Sequence, residues 1–234
     1  MIEHRPFTKL GGANHGWLDA KHHFSFAEYY DPERINWAAL RVWNDDTIQP
    51  NTGFPPHPHA DMEIITYVRD GAITHQDSLG NKGRTVAGDV QVMSAGTGIH
   101  HSEYNLESEI TRIFQIWIIP NQHGHPPSWD TKSFPKEERS GKFVLLASGI
   151  EGDKDALPLH ADARVLGATL KTGETTEYQI GNGYYAYLVL AKGKVEVNGV
   201  VLNTRDGAAI HDEDTIQITA IEEAELVLVE TFPV

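Results

Sequence analysis

From Trp37 onward, short apolar or alternating runs are separated by turn-forming residues. The runs are AALRVW, MEIITYV, AITHQDS, VQVMSAG and TRIFQIWII, with Asp70-Gly71, Gly80-Asn81 and Gly88-Asp89 between them. A period of two, punctuated by Gly-containing dipeptides, predicts strands joined by tight turns. The same texture resumes in FVLLAS, ARVLGATL, YYAYLVLA, KVEVNG, TIQITA and AELVLVETF. Between these halves lies Asn121 to Gly141, NQHGHPPSWDTKSFPKEERSG, which is rich in Pro, Gly and charge. It has neither the helical nor the strand period, and a linker is expected there. Helix is predicted only for one turn in DPERINW, where Asp31 would cap and Pro32 would take the first helical position.

The halves read as copies of one unit. TYVRDGAITHQDSLGNKGRTVAGDVQVM runs strand, turn, strand, turn, short strand, turn, strand, and YLVLAKGKVEVNGVVLNTRDGAAI repeats that order. Two stacked barrels are the economical arrangement. The fold class expected is therefore all-β, with one barrel over residues 1–130 and a second over 131–234.

Composition narrows the chemistry. With 40% hydrophobic and 22% charged residues the chain of 234 residues is that of an ordinary globular protein. Nineteen Lys and Arg stand against 33 Asp and Glu, a formal charge of −14 that repels phosphate backbones and anionic membranes. Neither nucleic acid nor membrane is an expected partner. No segment reaches the roughly 18 apolar residues of a membrane span, and the first residues, MIEHRPFTKLGGANHGW, hold no continuous apolar run. A soluble cytoplasmic monomer is expected. Zero cysteines exclude disulfides and thiolates, so any metal must sit on nitrogen and oxygen.

Such a donor set stands in two segments. In GFPPHPHADMEIITYVRDG, His57 and His59 are two residues apart and project from one face of an extended strand. In GDVQVMSAGTGIHHSEYN the same holds for His101 and Glu103, while His100 points the other way. Converging inside a barrel, these pairs offer three nitrogens and one carboxylate oxygen, a set suited to Fe(II), Cu(II), Ni(II), Co(II) or Zn(II). Other polar pairs fit blander roles. His123 and His125 share the spacing but lie in the Pro/Gly-rich stretch, where a solvated loop is expected. His75 and Asp77 are expected to be a hydrogen-bonded surface pair. Glu63 shares the face of His59 and is expected to orient a ligand imidazole.

His57-x-His59 with Glu63 and Gly71, followed by the segment from Gly88 to Asn105, resembles the two cupin motifs. It departs from them at Gly53, which stands nearer than usual, and at Gly96-Thr97-Gly98, where many cupins have Pro-x-Gly. Together with HHFSFAEYYDPERINWAALRVWNDD, HPH and MSAGTGIHHSEYN in order, the chain resembles the pirin family specifically. That resemblance implies a bicupin of two stacked cupin barrels, with metal only in the first. The ligands would be His57, His59, His101 and Glu103, the last replacing the glutamate of the first cupin motif, and Fe(II) is the favoured ion. Internal comparison agrees: aligning Gly193 on Gly71 puts Gln179 and Gly181 where the first His pair stands, and aligning Gly207 on Gly88 puts Ala220 at the His101 position.

Bacterial proteins similar to pirin include quercetin 2,3-dioxygenases, so the resemblance implies opening of a flavonol's central ring by dioxygen with release of carbon monoxide. Glu103 would then act as catalytic base as well as ligand, and Phe24, Phe26, Phe54 and Trp117 are candidates to line a substrate pocket. The rival expectation is a metal- or redox-responsive protein-interaction module, as in the eukaryotic pirin branch. A cupin enzyme with another small substrate is a third.

Overall fold

The computed structural model describes all 234 residues, and apart from two 3-10 turns, Phe7–Lys9 and Lys136–Arg139, its regular elements are strands. No helix is long and apolar enough to cross a membrane. The DPERINW segment forms a hydrogen-bonded turn instead of a helix: the Asp31 carboxylate accepts from the Glu33 N–H, and the Arg34 N–H closes on the Asp31 carbonyl at 3.0 Å.

The first barrel is built from a seven-stranded and a four-stranded sheet. Glu63–Asp70, Thr111–Ile118 and Leu40–Ile48 form the middle of the larger one; Thr52–His59, Ile99–Asn105, Ala72–Asp77 and Lys82–Val86 make the smaller. Gly71 alone carries the chain from one sheet to the other. Its φ of +75° suits that corner, and a Cβ there would meet the Thr111 hydroxyl at 2.5 Å. The second barrel is one nine-stranded sheet that curls on itself, with register shifts between Leu190 and Val195 bending the long strands Tyr185–Val197 and Thr215–Thr231.

Alternation along these strands decides what faces what. Trp43, Ile65, Tyr67, Phe114 and Ile116 point out of the first barrel and meet Val165, Tyr187, Val189, Val227 and Val229 of the second, within one cluster of 25 buried residues. The opposite faces of the second barrel's strands fill its interior with 18 buried apolar residues, Ala220 among them. Inside the first barrel the apolar residues split into two small groups, one around Ile48, Val68 and Ile113 and one around Ile64, Met93 and Ile99. Buried polar side chains, Thr66, Gln91, His101, Glu103 and Gln115, lie on the same strands.

Two segments depart from the simple division into halves. The supposed linker contains the strand Ser128–Lys132, which pairs along its length with Val90–Ser94 of the first barrel, and the division after residue 130 falls inside it. Ile2–Arg5, at the other end of the chain, pairs with Gly207–Ile210 in the second barrel's sheet.

Candidate metal centre

Thr52–His59 and Ile99–Asn105 run antiparallel with His57 directly opposite His101 and His59 opposite Ile99. The register slips between His101 and Glu103, opposite Pro55 and Pro56. Prolines cannot donate to a ladder, and an edge strand with a bulge is where a sheet accommodates them. The result brings three imidazoles together, with ring centroids 4.8 Å apart for His57 and His59, 4.5 Å for His57 and His101, and 5.0 Å for His59 and His101. His57 and His59 are half-buried at the mouth, His101 is buried beneath them, and His100 faces solvent as its strand position requires.

The geometry fits a cation. His57 donates its Nδ1 hydrogen to the Pro55 carbonyl at 2.7 Å, which leaves its Nε2 lone pair directed at the His101 Nε2, 2.9 Å away. Burial, then the neighbouring His101 and His57 rings, hold His59 down to about 4, and burial with His57 and His75 holds His101 down to about 3. His59 and His101 are therefore neutral near pH 7, as metal-binding imidazoles must be.

Glu103 lies fully buried below, its carboxyl pushed up in pKa by burial. Gln91 donates to Oε1 at 2.7 Å and Gln115 to Oε2 at 2.8 Å, with the Thr66 hydroxyl 3.4 Å from Oε1. His57, His59 and His101 form one close donor group; Glu103 forms a second with His101 and His75. Gln91, Gln115 and Thr66 escaped the sequence reading, although polar residues interrupting VQVM, IFQIW and IITYV at inward positions are the signal for them.

Several neighbours differ from expectation. His75 and Asp77 are not at the surface: both side chains are inaccessible, His75 Nε2 lies 2.7 Å from Asp77 Oδ2, and His75 Nδ1 lies 3.4 Å from His101 Nδ1. Glu63 does not touch a ligand imidazole. Its carboxylate accepts from the Ser94 hydroxyl at 2.7 Å and the His160 N–H at 3.0 Å, tying the two barrels together, because its strand position faces that junction. His123 is exposed and pairs with Asp61, but His125 stacks on His160 at 3.9 Å and its carbonyl accepts from Thr97, so only part of that loop is solvated. Of the four aromatics, Phe24 is in the core between the barrels. Trp117 stands edge-on to His59 at 5.1 Å, Phe54 lies 6.5 Å from His57, and Phe26 packs on Trp117 at 5.5 Å.

One opening adjoins His59, and a second lies deeper, beside Gln115 and Phe54. A groove of about 550 Å³ runs past Pro58, His59, Ala60, Gly98, Ile99 and His100. A smaller cavity of about 70 Å³ reaches inward between Phe26, Phe54, Asn44, Asp46 and Gln115.

Known proteins match this chain along its length. Residues 3–118 match the family described as Pirin, and residues 145–231 match the Quercetinase C-terminal cupin domain. A pirin-like protein of Caulobacter vibrioides is 74% identical over 230 residues, covering 98% of this chain and 99% of the relative. Quercetin 2,3-dioxygenase of Escherichia coli K12 is 44% identical over 235 residues, covering 100% of both. The bacterial pirin YhhW of Escherichia coli, solved in complex with nickel(II), superposes with a TM-score of 0.94 at 43% identity and 100% coverage of both chains. With the first match spanning all of His57, His59, His101 and Glu103, and whole-length identity on both barrels, the chain belongs to the pirin family.

Proposed function

We propose that this protein is a metal-dependent dioxygenase that opens the central ring of flavonols such as quercetin, with His57, His59, His101 and Glu103 as metal ligands. The observation that carries the reading is the facing pair of Nε2 atoms of His57 and His101 at the open mouth of the barrel, since a ligand set left open on one side suits a substrate more than a structural ion. A divalent cation held there would supply Lewis acidity, stabilising a flavonol that has lost its 3-hydroxyl proton and bringing dioxygen beside it. The names of relatives and the nickel(II) bound by the Escherichia coli pirin support this assignment.

The chain's own residues do the rest. Glu103 takes the hydroxyl proton: Gln91 and Gln115 each hold one of the carboxylate's about four lone-pair sites, and the Thr66 hydroxyl contact is the longest at 3.4 Å, so two sites serve the metal and, once Thr66 yields, the proton. The two amides also fix the carboxylate's plane, so that it meets the substrate without reorganising. A groove of about 550 Å³ is of the size that small-molecule sites have, and it admits the fused rings that the inner cavity of about 70 Å³ cannot. Trp117 and Phe54 flank the imidazoles with apolar surface that excludes water from the reacting ring.

The deciding experiment reconstitutes metal-free protein with iron(II), nickel(II), copper(II), cobalt(II) and zinc(II) in turn, and follows quercetin loss, oxygen uptake and carbon monoxide together. Stoichiometric uptake with at least one ion is expected. No turnover above free ion with any of them sinks the dioxygenase reading and leaves the interaction module.

A further inference from the structure

Behind His101, on the side away from the mouth, stands a chain of groups that nothing in the reaction uses. Asp77 Oδ2 lies 2.7 Å from His75 Nε2, and His75 Nδ1 lies 3.4 Å from His101 Nδ1. Asp77 is itself anchored: its Oδ1 accepts from the Leu79 N–H at 2.9 Å and the Asn81 N–H at 3.1 Å, and the Asn81 amide donates to Oδ2 at 3.0 Å. The ring of His75 lies flat on Trp129, with centroids 4.7 Å apart and planes 5° from parallel. Trp129 comes from the strand Ser128–Lys132 that leads to the second barrel, and it reaches His75 over Gly83, where a Cβ would lie 2.4 Å from the indole.

Hydrogen-bond valence orders the chain. A carboxylate only accepts, so His75 carries its hydrogen on Nε2. Its Nδ1 is then a bare acceptor, and His101, facing it with Nδ1, must carry the hydrogen there. That leaves the His101 Nε2 lone pair directed at the His57 Nε2, where the ion is assigned. We infer that Asp77 and His75 are positioning residues that lock His101 in the tautomer and orientation that present Nε2 to the metal, with Trp129 clamping His75 against rotation.

Ligand imidazoles are commonly oriented by a carboxylate on the other ring nitrogen, and losing such a partner costs about 10- to 100-fold in metal affinity. Here the carboxylate acts through a second imidazole, which lets a group on Ala72–Asp77 set a ligand on the neighbouring strand. The inference rests on the metal assignment above. It competes with one other role for His75, since His75, His101 and Glu103 are also close enough to share an ion.

The test titrates nickel(II) into metal-free wild type, His75→Phe, His75→Gln, Asp77→Leu and Asp77→Asn, and records thermal unfolding of each metal-free protein. Asp77→Leu and His75→Phe are expected to bind one nickel roughly 10- to 100-fold more weakly. His75→Gln, which can keep an oxygen acceptor facing His101 Nδ1, is expected to recover most of that loss, whereas Asp77→Asn is expected to bind as weakly as Asp77→Leu, because its NH₂ must face either the backbone N–H groups or His75 Nε2. Equal affinities in all five, with only the unfolding temperature changed, overturn the inference, because a merely structural role would do that. Loss of stoichiometric nickel from His75→Phe while Asp77→Leu binds normally also overturns it and makes His75 a ligand. If His75→Phe does not fold, the Asp77 pair decides alone. Failure of wild type to bind nickel at all is a different result, which removes the metal assignment itself.

Discussion

Glu103 shows how much of a residue's role depends on what holds it. Two amides and a hydroxyl grip its carboxylate, so Glu103→Gln presents an NH₂ to donors and forces Gln91 or Gln115 to turn over. The variant should keep much of its metal on the three imidazoles yet lose quercetin turnover by about 100-fold or more, the usual cost of removing a general base; metal content and activity on one preparation check this, and full activity at full occupancy would remove the base role. His57→Ala or His101→Ala should instead abolish stoichiometric metal while the strands persist, as read by elemental analysis beside circular dichroism. His23 gives a pH dependence unrelated to the metal. Burial, then Arg5, holds its imidazole down to about 3, while its Nδ1 shares a hydrogen bond of 2.8 Å with the Tyr187 hydroxyl. The unfolded chain binds this proton near the ordinary value of about 6.5. Stability from His23 is therefore complete above that pH and is lost as pH falls toward 3, at about 1.4 kcal/mol per unit. Denaturant unfolding of wild type and His23→Phe between pH 7 and about pH 4 should show the wild type losing stability faster; parallel profiles would contradict it.

Among the elements, the strand Ser128–Lys132 was hidden from sequence reading and the strands of the barrel walls were not. Val90–Ser94 and Thr111–Ile118 are mostly apolar, as strands buried on both faces are, whereas SWDTK is mostly polar and enclosed by Pro and Gly. It becomes a strand because the exposed ladder of Val90–Ser94 accepts it and because Trp129 has a slot over Gly83. Gly83→Ala fills that slot. It is expected to destabilise the protein by about 1–3 kcal/mol, as overpacking does, and a chemical denaturation midpoint equal to wild type would show that the indole moves aside freely.

For the whole molecule, the largest apolar cluster lies between the barrels and not within either. Asp45, fully buried at that junction, accepts from Arg69 of its own barrel and from Arg205 of the other at 2.6 Å. The barrels should therefore unfold in a single calorimetric transition. Asp45→Ala, which strands a buried guanidinium, should cost about 3–5 kcal/mol and lower the midpoint by roughly 10 °C. Two separated transitions in the wild type would mean that the junction contributes little.

Strand periodicity, the doubled unit and the two candidate ligand pairs could be read from the chain alone, because period-two alternation and an i, i+2 pair on one face are properties of a few consecutive residues. That the second half lacks histidine at the positions matching His57, His59 and His101 was legible in the same way, from Gln179, Gly181 and Ala220. The tertiary structure decided which faces met. It sent Glu63 to the junction between barrels and placed His75 behind His101. It also moved Phe24 from the pocket to the core and set Ile2–Arg5 into the second barrel's sheet. Each of these depends on partners far away in sequence. A side chain's face is set by its own strand, but what lies opposite that face is set by the packing of the whole chain.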